Sequence, residues 1–267
     1  MKAKILNMEN EATAEITLPK QFNEPVRKDL IKRSVLVIQS SNRQPYGAYP
    51  EAGKNVSVRI SKKRNDYRTS YGHGIARTPR KITSRRGTRL NWTGAFAPNT
   101  VGGRRAHPPK AGKIWDKKIN TKERRKAIRS ALASSVSKED VSKRGHKVPD
   151  NYPLIIEDKF EKINKTKDIK TVLEKIGLKD ELKRASIKKV RAGKGTMRGR
   201  KYKKKTGPLI VVSDKCSLEK CKNLPGIDIV QIKNINTELL APGTIPGRLT
   251  IFTKSAVEKL EKEKLFM

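Results

Sequence analysis

The residues best placed to do chemistry in this chain are cations, and the chemistry they offer is phosphate binding. Between Lys188 and Lys205 ten Lys/Arg fall within 18 residues: Lys188, Lys189, Arg191, Lys194, Arg198, Arg200, Lys201, Lys203, Lys204 and Lys205. Gly193, Gly195 and Gly199 interrupt them. A phosphate-binding P-loop requires a glycine, four residues and then Gly-Lys-Ser/Thr, after a strand and ahead of a helix. Here Gly195 runs directly into Thr196, the upstream glycine is missing, and a helical pattern comes before. The dinucleotide fingerprint Gly-x-Gly-x-x-Gly is missed by one residue at Gly199. A single nucleotide would not need ten cations, whereas an RNA backbone does, through release of its counterions.

Two further constellations share this chemistry. Gly72-His73-Gly74-Ile75-Ala76-Arg77-Thr78-Pro79-Arg80 is followed by Arg85-Arg86-Gly87. Glycines let a backbone approach a ligand closely, and arginine forks match phosphate oxygens. Tyr67 and Tyr71 offer faces on which unpaired bases could stack. Gly102-Gly103-Arg104-Arg105-Ala106-His107-Pro108-Pro109-Lys110 joins a turn to a stiff extended stretch. Trp92, Phe96 and Trp115 flank it, as anchors or as stacking platforms.

Other chemistries are poorly supplied. Cys216 and Cys221 have no second pair and no nearby histidine, so a structural zinc site lacks ligands. His73, His107 and His146 each sit in a basic stretch and read as RNA contacts rather than general bases. Asp150, Glu157 and Asp158 form an acidic patch that reads as a strand-end cap. A metal-dependent RNA-processing enzyme, the rival reading, would need a clustered acid pair or a cofactor loop. A messenger-RNA-binding repressor would use the same basic surface.

The elements that must position these residues fall into two kinds. Arg43–Lys113 carries 17 Lys/Arg against Glu51 and Asp66, with nine glycines and six prolines, and no periodicity persists. Its excess of +15 self-repels, so it is expected not to fold alone and to be ordered by a polyanion. The remaining 196 residues still carry +22 of the total +37. These basic stretches are poor in bulky apolar residues, which argues for nucleic acid over a membrane surface. No apolar leader and no run near ~18 apolar residues is visible.

Residues 1–42 and 114–267 are expected to form one α/β domain, with the basic segment 43–113 inserted between two of its helices. Lys2–Thr17 reads as a hairpin and Pro25–Ser40 as a helix. Thr121–Ser137 is a second helix with a basic face through Arg124 and Arg125. Then Pro153–Ile156, Pro208–Val212, Ile227–Ile232 and Arg248–Phe252 read as buried strands. They alternate with helices at Thr166–Ile176, Asp180–Lys189, Ser217–Asn223 and Thr253–Leu265. Such alternation predicts a three-layer α/β/α domain with a mainly parallel sheet.

The motifs resemble one family. Gly72-x-Gly-x-Ala-Arg-x-Pro-Arg80, Arg191-Ala-Gly-Lys-Gly-x-Met-Arg198, Asn223-Leu-Pro-Gly226, Leu240-Ala-Pro-Gly243 with Gly247-Arg248, and Pro153-Leu-Ile-Ile-Glu-Asp158 are similar to the universal large-subunit ribosomal protein L-four family in its archaeal form. Thr196 departs from the pattern, standing where many members have lysine. The resemblance implies a cytoplasmic structural component of the large ribosomal subunit that is not an enzyme, binds large-subunit rRNA and supports assembly. It implies that the inserted segment reaches the polypeptide exit tunnel beside ribosomal protein L-twenty-two and the nascent chain, with Tyr71, Gly72, His73, Gly74, Ile75, Ala76 and Arg77 at the tip. It implies no metal or cofactor beyond rRNA-associated magnesium, no membrane and no small-molecule substrate. The residues expected on RNA are Arg59, Lys62, Lys63, Arg64, Arg68, Arg77, Arg80, Arg85, Arg86, Arg89, Arg104, Arg105, His107, Lys110, Arg124, Arg125, Lys188, Lys189, Arg191, Lys194, Arg198, Arg200, Lys201, Lys203 and Lys204.

Overall fold

A computed structural model describes residues 1–267 apart from Ser57, Arg59, Arg68 and residues 219–222. The expected RNA contacts Arg59 and Arg68, Cys221 and most of the Ser217–Asn223 helix lie outside the described residues. The chain divides into two compact units, Met1–Asn42 with Asp116–Met267, and Arg43–Trp115.

In the first unit the strands are β1 (Lys2–Leu6), β2 (Ala12–Thr17), β5 (Leu154–Ile156), β6 (Lys188–Val190), β7 (Tyr202–Lys204), β8 (Leu209–Val212), β9 (Asp228–Gln231) and β10 (Thr250–Thr253). The second unit holds β3 (Arg80–Arg86) and β4 (Arg89–Gly94). The helices are α1 (Lys28–Ser41), α2 (Thr121–Val136), α3 (Lys138–Lys143), α4 (Thr166–Leu173), α5 (Lys179–Ser186), α6 (Thr237–Leu240) and α7 (Lys254–Lys262). Among the described residues, none is long and apolar enough to cross a membrane.

Six strands form the main sheet in the order β2-β1-β5-β10-β8-β9. All neighbours are parallel except β1 and β2, a hairpin whose β2 lies at the edge and is mostly exposed. The unbroken apolar runs of β5 and β8 follow from burial on both faces. Alternate residues serve opposite layers. Ile155, Leu209, Val211 and Phe252 pack with α1, α2 and α7, while Leu154, Ile156, Ile210, Val212 and Ile251 pack with α4 and α5. The domain is therefore three layers, α/β/α.

Local chemistry sets the helix limits. α1 buries Ile31, Ser34 and Val35 and begins at Lys28, so Pro25 precedes the helix instead of opening it. α2 buries Ala127, Ile128, Ala131 and Leu132, the expected stripe, although Asn120 makes no side-chain cap bond. Gly177, at φ 92°, breaks the path between α4 and α5. The helix expected to run to Lys189 stops at Ser186, and Lys188 and Lys189 are strand residues. A hairpin across the glycine-rich loop gives their backbone groups partners that a helix end would not.

The acids close the fold. Glu161 accepts bonds from Ser213 N and Oγ, Thr253 Oγ1 and Ser255 Oγ, at the carboxyl ends of β8 and β10. That edge of a parallel sheet is where α/β folds commonly take ligands; here a carboxylate of the chain itself ties the strand ends together. Asp158 accepts from Ser255 N in the first turn of α7, so it caps a helix rather than a strand. Arg248, 1% exposed, donates Nε to Gly207 O at 2.9 Å and Nη1 to Leu239 O at 3.0 Å, and pairs with Asp228. The Gly-Arg of the C-terminal motif is thus an internal clasp.

In the second unit the structure differs from expectation. β3 and β4 form an antiparallel hairpin inside the segment where no strand pattern was legible. Ile82, Leu90 and Trp92 supply its half-buried face, Ile82 opposite Trp92, and Ala95 and Ala97 are buried beyond it.

Candidate nucleic-acid interface

In the first unit β6 and β7 form a basic ribbon. Lys188 stands opposite Lys204, and Lys189 opposite Lys203. Like charges directly opposite one another destabilise a ladder, and here two such pairs are adjacent. Lys188 Nζ sits 3.8 Å from the Tyr202 ring centroid, which orients one of the four. In the connecting loop Arg191 is partly spent on structure, its Nε donating to Arg200 O at 2.9 Å. Thr196, standing where lysine was expected, donates its hydroxyl to Arg191 O and pins the loop. Lys194, Arg198, Arg200, Lys201, Lys203 and Lys204 are exposed.

A buried charge network holds the root of this ribbon. Glu181 is fully buried, and its Oε1 accepts from His146 Nδ1 at 2.7 Å and from Arg184 Nη2 at 2.6 Å. Its Oε2 accepts from Arg184 Nε at 2.7 Å and Lys147 N at 3.0 Å. Arg184 Nη2 also donates to Thr206 O at 2.7 Å, just beyond β7. Burial alone would raise the Glu181 carboxyl, but the bonds from Arg184, His146 and Lys147 outweigh it and bring it down to about 2. His146 is lowered, first by burial, so its neutral ring donates Nδ1–H to Glu181. Its expected role as an RNA contact is therefore replaced by an internal one. Beside it Arg144 is lowered to about 10 by burial and by repulsion from Arg248 and Arg184.

The basic face of α2 is only partly free. Arg124 is exposed, whereas Arg125 Nη1 donates to Met267 O at 2.6 Å. Lys126 and Arg129 are both tied to Glu24.

The second unit pairs its cations with aromatic rings. Arg77 lies 3.9 Å and Arg64 5.9 Å from the Tyr71 centroid, and Arg85 lies 5.4 Å from that of Tyr67. Guanidinium groups thus cover faces expected for bases. Trp115 stacks on Tyr46 at 5.2 Å with Arg43 at 4.1 Å, so its ring is engaged within its own segment. Trp92 lines a cleft with Tyr67, Arg80 and Arg85, where Arg80 Nε and Ser70 Oγ are buried without partners. At the β3–β4 turn Arg86 faces Arg89 across the ladder. Lys62, Lys63, Arg64, Arg105, His107 and Lys110 are exposed, and Arg104 is half-buried. Gly72 and Gly74, at φ 74° and 65°, turn the expected tip, with His73 exposed between them.

Arg144, Arg184 and Lys205 were not among the expected contacts, yet they line a pocket with Lys189 and Lys203. Arg144 lies in Ser142-Lys-Arg-Gly-His146, an unremarkable basic turn, and nothing local ties it to residues 45 to 61 positions away. Among the described residues no His/Cys/Asp/Glu group could hold a metal ion.

Residues 16–263 match the model of the Ribosomal protein L4/L1 family. The chain belongs to that family. It is 48% identical over 268 residues to the large ribosomal subunit protein uL4 of Nanoarchaeum equitans, spanning all of both chains. It is 46% identical to the uL4 of Archaeoglobus fulgidus over 97% of this chain and 98% of that one. The uL4 of Methanocaldococcus jannaschii is 45% identical over 98% and 99%. The family resemblance read from the motifs holds over the whole chain. As a member of the L4/L1 family the chain is a ribosomal protein and not an enzyme, and its paired lysines and arginines are to be understood on those terms.

Proposed function

We propose that this protein is a structural constituent of the large ribosomal subunit in the cytoplasm, where it binds large-subunit rRNA and supports assembly. The observation that carries this reading is the pairing of like charges across both basic hairpins, Lys188 with Lys204, Lys189 with Lys203, and Arg86 with Arg89. Facing like charges destabilise a ladder, an anion laid over them relieves the repulsion, and a folded RNA presents phosphates at that density. Few of the contacts need read bases, since shape and backbone dominate recognition of structured RNA.

The two units divide the work. The ribbon Lys188–Lys204 and Arg124 dock the α/β unit on rRNA. The basic segment 43–115 enters the RNA as an arm, with Arg64, Arg77, Arg80, Arg85, Arg86, Arg89, Arg104 and Arg105 neutralising phosphates. Its tip, Tyr71 to Arg77, lines the polypeptide exit tunnel beside ribosomal protein L-twenty-two and meets the nascent chain. Counterion release and contacts offset the ordering of the arm, about 1–2 kcal/mol per backbone residue.

Crosslinking within purified ribosomes, with sites mapped on both partners, tests this. Crosslinks from Tyr71–Arg80 to large-subunit RNA at the tunnel are expected. Absence of the protein from large subunits, with binding only to messenger or transfer RNA, would sink the assignment.

A further inference from the structure

The root of the β6–β7 ribbon encloses a pocket of about 560 Å³. Strand alternation turns Lys189 and Lys203 into it, and Lys205 follows along the same face. Arg144 lies in its wall. Arg144 Nη2 donates to Pro242 O at 2.5 Å, but Nη1 is buried with no partner. A buried cationic N–H without an acceptor is costly, and native structures rarely leave one so. Among the described residues no acid lines the pocket. The buried carboxylate Glu181 already accepts four bonds and has nothing left for Arg144.

His146, Arg184, Lys204 and Thr206 complete the polar part of the wall, and two residues give it an apolar part. Ile187 and Ile245 are 48% and 59% exposed, large aliphatic side chains left open beside six cations. A bare phosphate would satisfy the cations and leave this wall in water. A long RNA helix would lie across the mouth without entering. A ligand that presents an anion and an apolar ring together uses both halves, and the volume suits one such group.

We infer that this pocket receives a single unstacked nucleotide of the bound RNA, its phosphate on Arg144, Lys189, Lys203 and Lys205 and its base or ribose against Ile187 and Ile245. The inference rests on the RNA-binding reading and deepens it by naming one place where a nucleotide, not only the backbone, is held. The unpartnered Nη1 gains its acceptor, and the Lys189–Lys203 repulsion is relieved by the same phosphate.

The test uses the full-length protein and large-subunit rRNA, with filter binding across a salt series and chemical probing of unpaired bases. Two variants change exposed residues, Ile245→Asp and the double change Lys189→Gln with Lys203→Gln. Ile245→Asp is expected to weaken binding about tenfold and to unmask one unpaired nucleotide, with the remaining footprint kept. The double variant is expected to lower the salt slope by roughly two. If both variants bind and footprint as the wild type does, the pocket inference is overturned and the RNA reading stands. If the wild type itself fails to bind rRNA, the RNA reading fails and the inference with it. Adenosine monophosphate titrated into the free protein is the second arm. Micromolar binding that Ile245→Asp abolishes, without any change in the rRNA footprint, would make this a free-nucleotide site and overturn the inference.

Discussion

Glu181→Gln isolates the charge that holds the ribbon root. In the folded chain the Glu181 carboxyl lies at about 2 against an ordinary 4.5, because bonds from Arg184, His146 and Lys147 outweigh the cost of burial. That drop corresponds to about 3 kcal/mol of stability, at 1.36 kcal/mol per pH unit. Loss of one partner from a buried ion pair costs about 3–5 kcal/mol, the same scale. A carboxyl held low contributes fully above the unfolded value of 4.5 and loses that contribution as pH falls toward 2. The glutamine variant carries no such titration. The gap in unfolding free energy between wild type and variant should therefore be about 3 kcal/mol at about pH 7, no smaller at about pH 5, and nearly closed at about pH 2. His146, held low first by burial, costs stability earlier, as pH falls through 6.5, and costs more in the variant, which lacks the Glu181 charge that raises it. Urea unfolding followed by helical circular dichroism is the assay, because all the α-helices of the described residues lie in the first unit. A gap below about 1 kcal/mol at about pH 7, or one that does not change with pH, would refute the reasoning and make Glu181 a packing residue.

Three further outcomes follow from the geometry. Arg86→Gln with Arg89→Gln removes a facing pair of like charges, so the free protein should gain about 0.2–1 kcal/mol while the salt slope of rRNA binding falls by roughly two; a merely solvated surface would show the first effect without the second. Gly247→Ala puts a methyl 2.6 Å from Asp140 O at φ 87° and should cost about 2–4 kcal/mol in urea unfolding, with no change in salt slope. Arg248→Met removes the donors to Gly207 O and Leu239 O and should cost about 3 kcal/mol, seen as a lower thermal midpoint.

Several features are legible in the sequence alone. The strands at β5, β8, β9 and β10 could be read because buried parallel strands are written as continuous apolar runs, and the helices because their stripes recur at three and four residues. Charge content alone pointed to a polyanion. The β3–β4 and β6–β7 hairpins were not legible, since three half-buried apolar residues in one and a row of lysines in the other carry no strand signature. Their ladders depend on pairing, which composition does not record.

The sequence by itself determined the class of partner, the layered α/β unit and the family, because charge, periodicity and motif spacing are local properties. Only the tertiary structure decided how each cation is used. It withdrew His146 and Arg248 into buried clasps, spent Arg125 on the carbonyl of Met267, and turned Thr196 into a loop pin. It also brought Arg144 beside Lys189 and Lys203 with an unpaired nitrogen. A side chain's burial and its partners are set by residues far away in sequence, so whether a lysine or arginine is clasp or contact becomes visible only when those residues are in place.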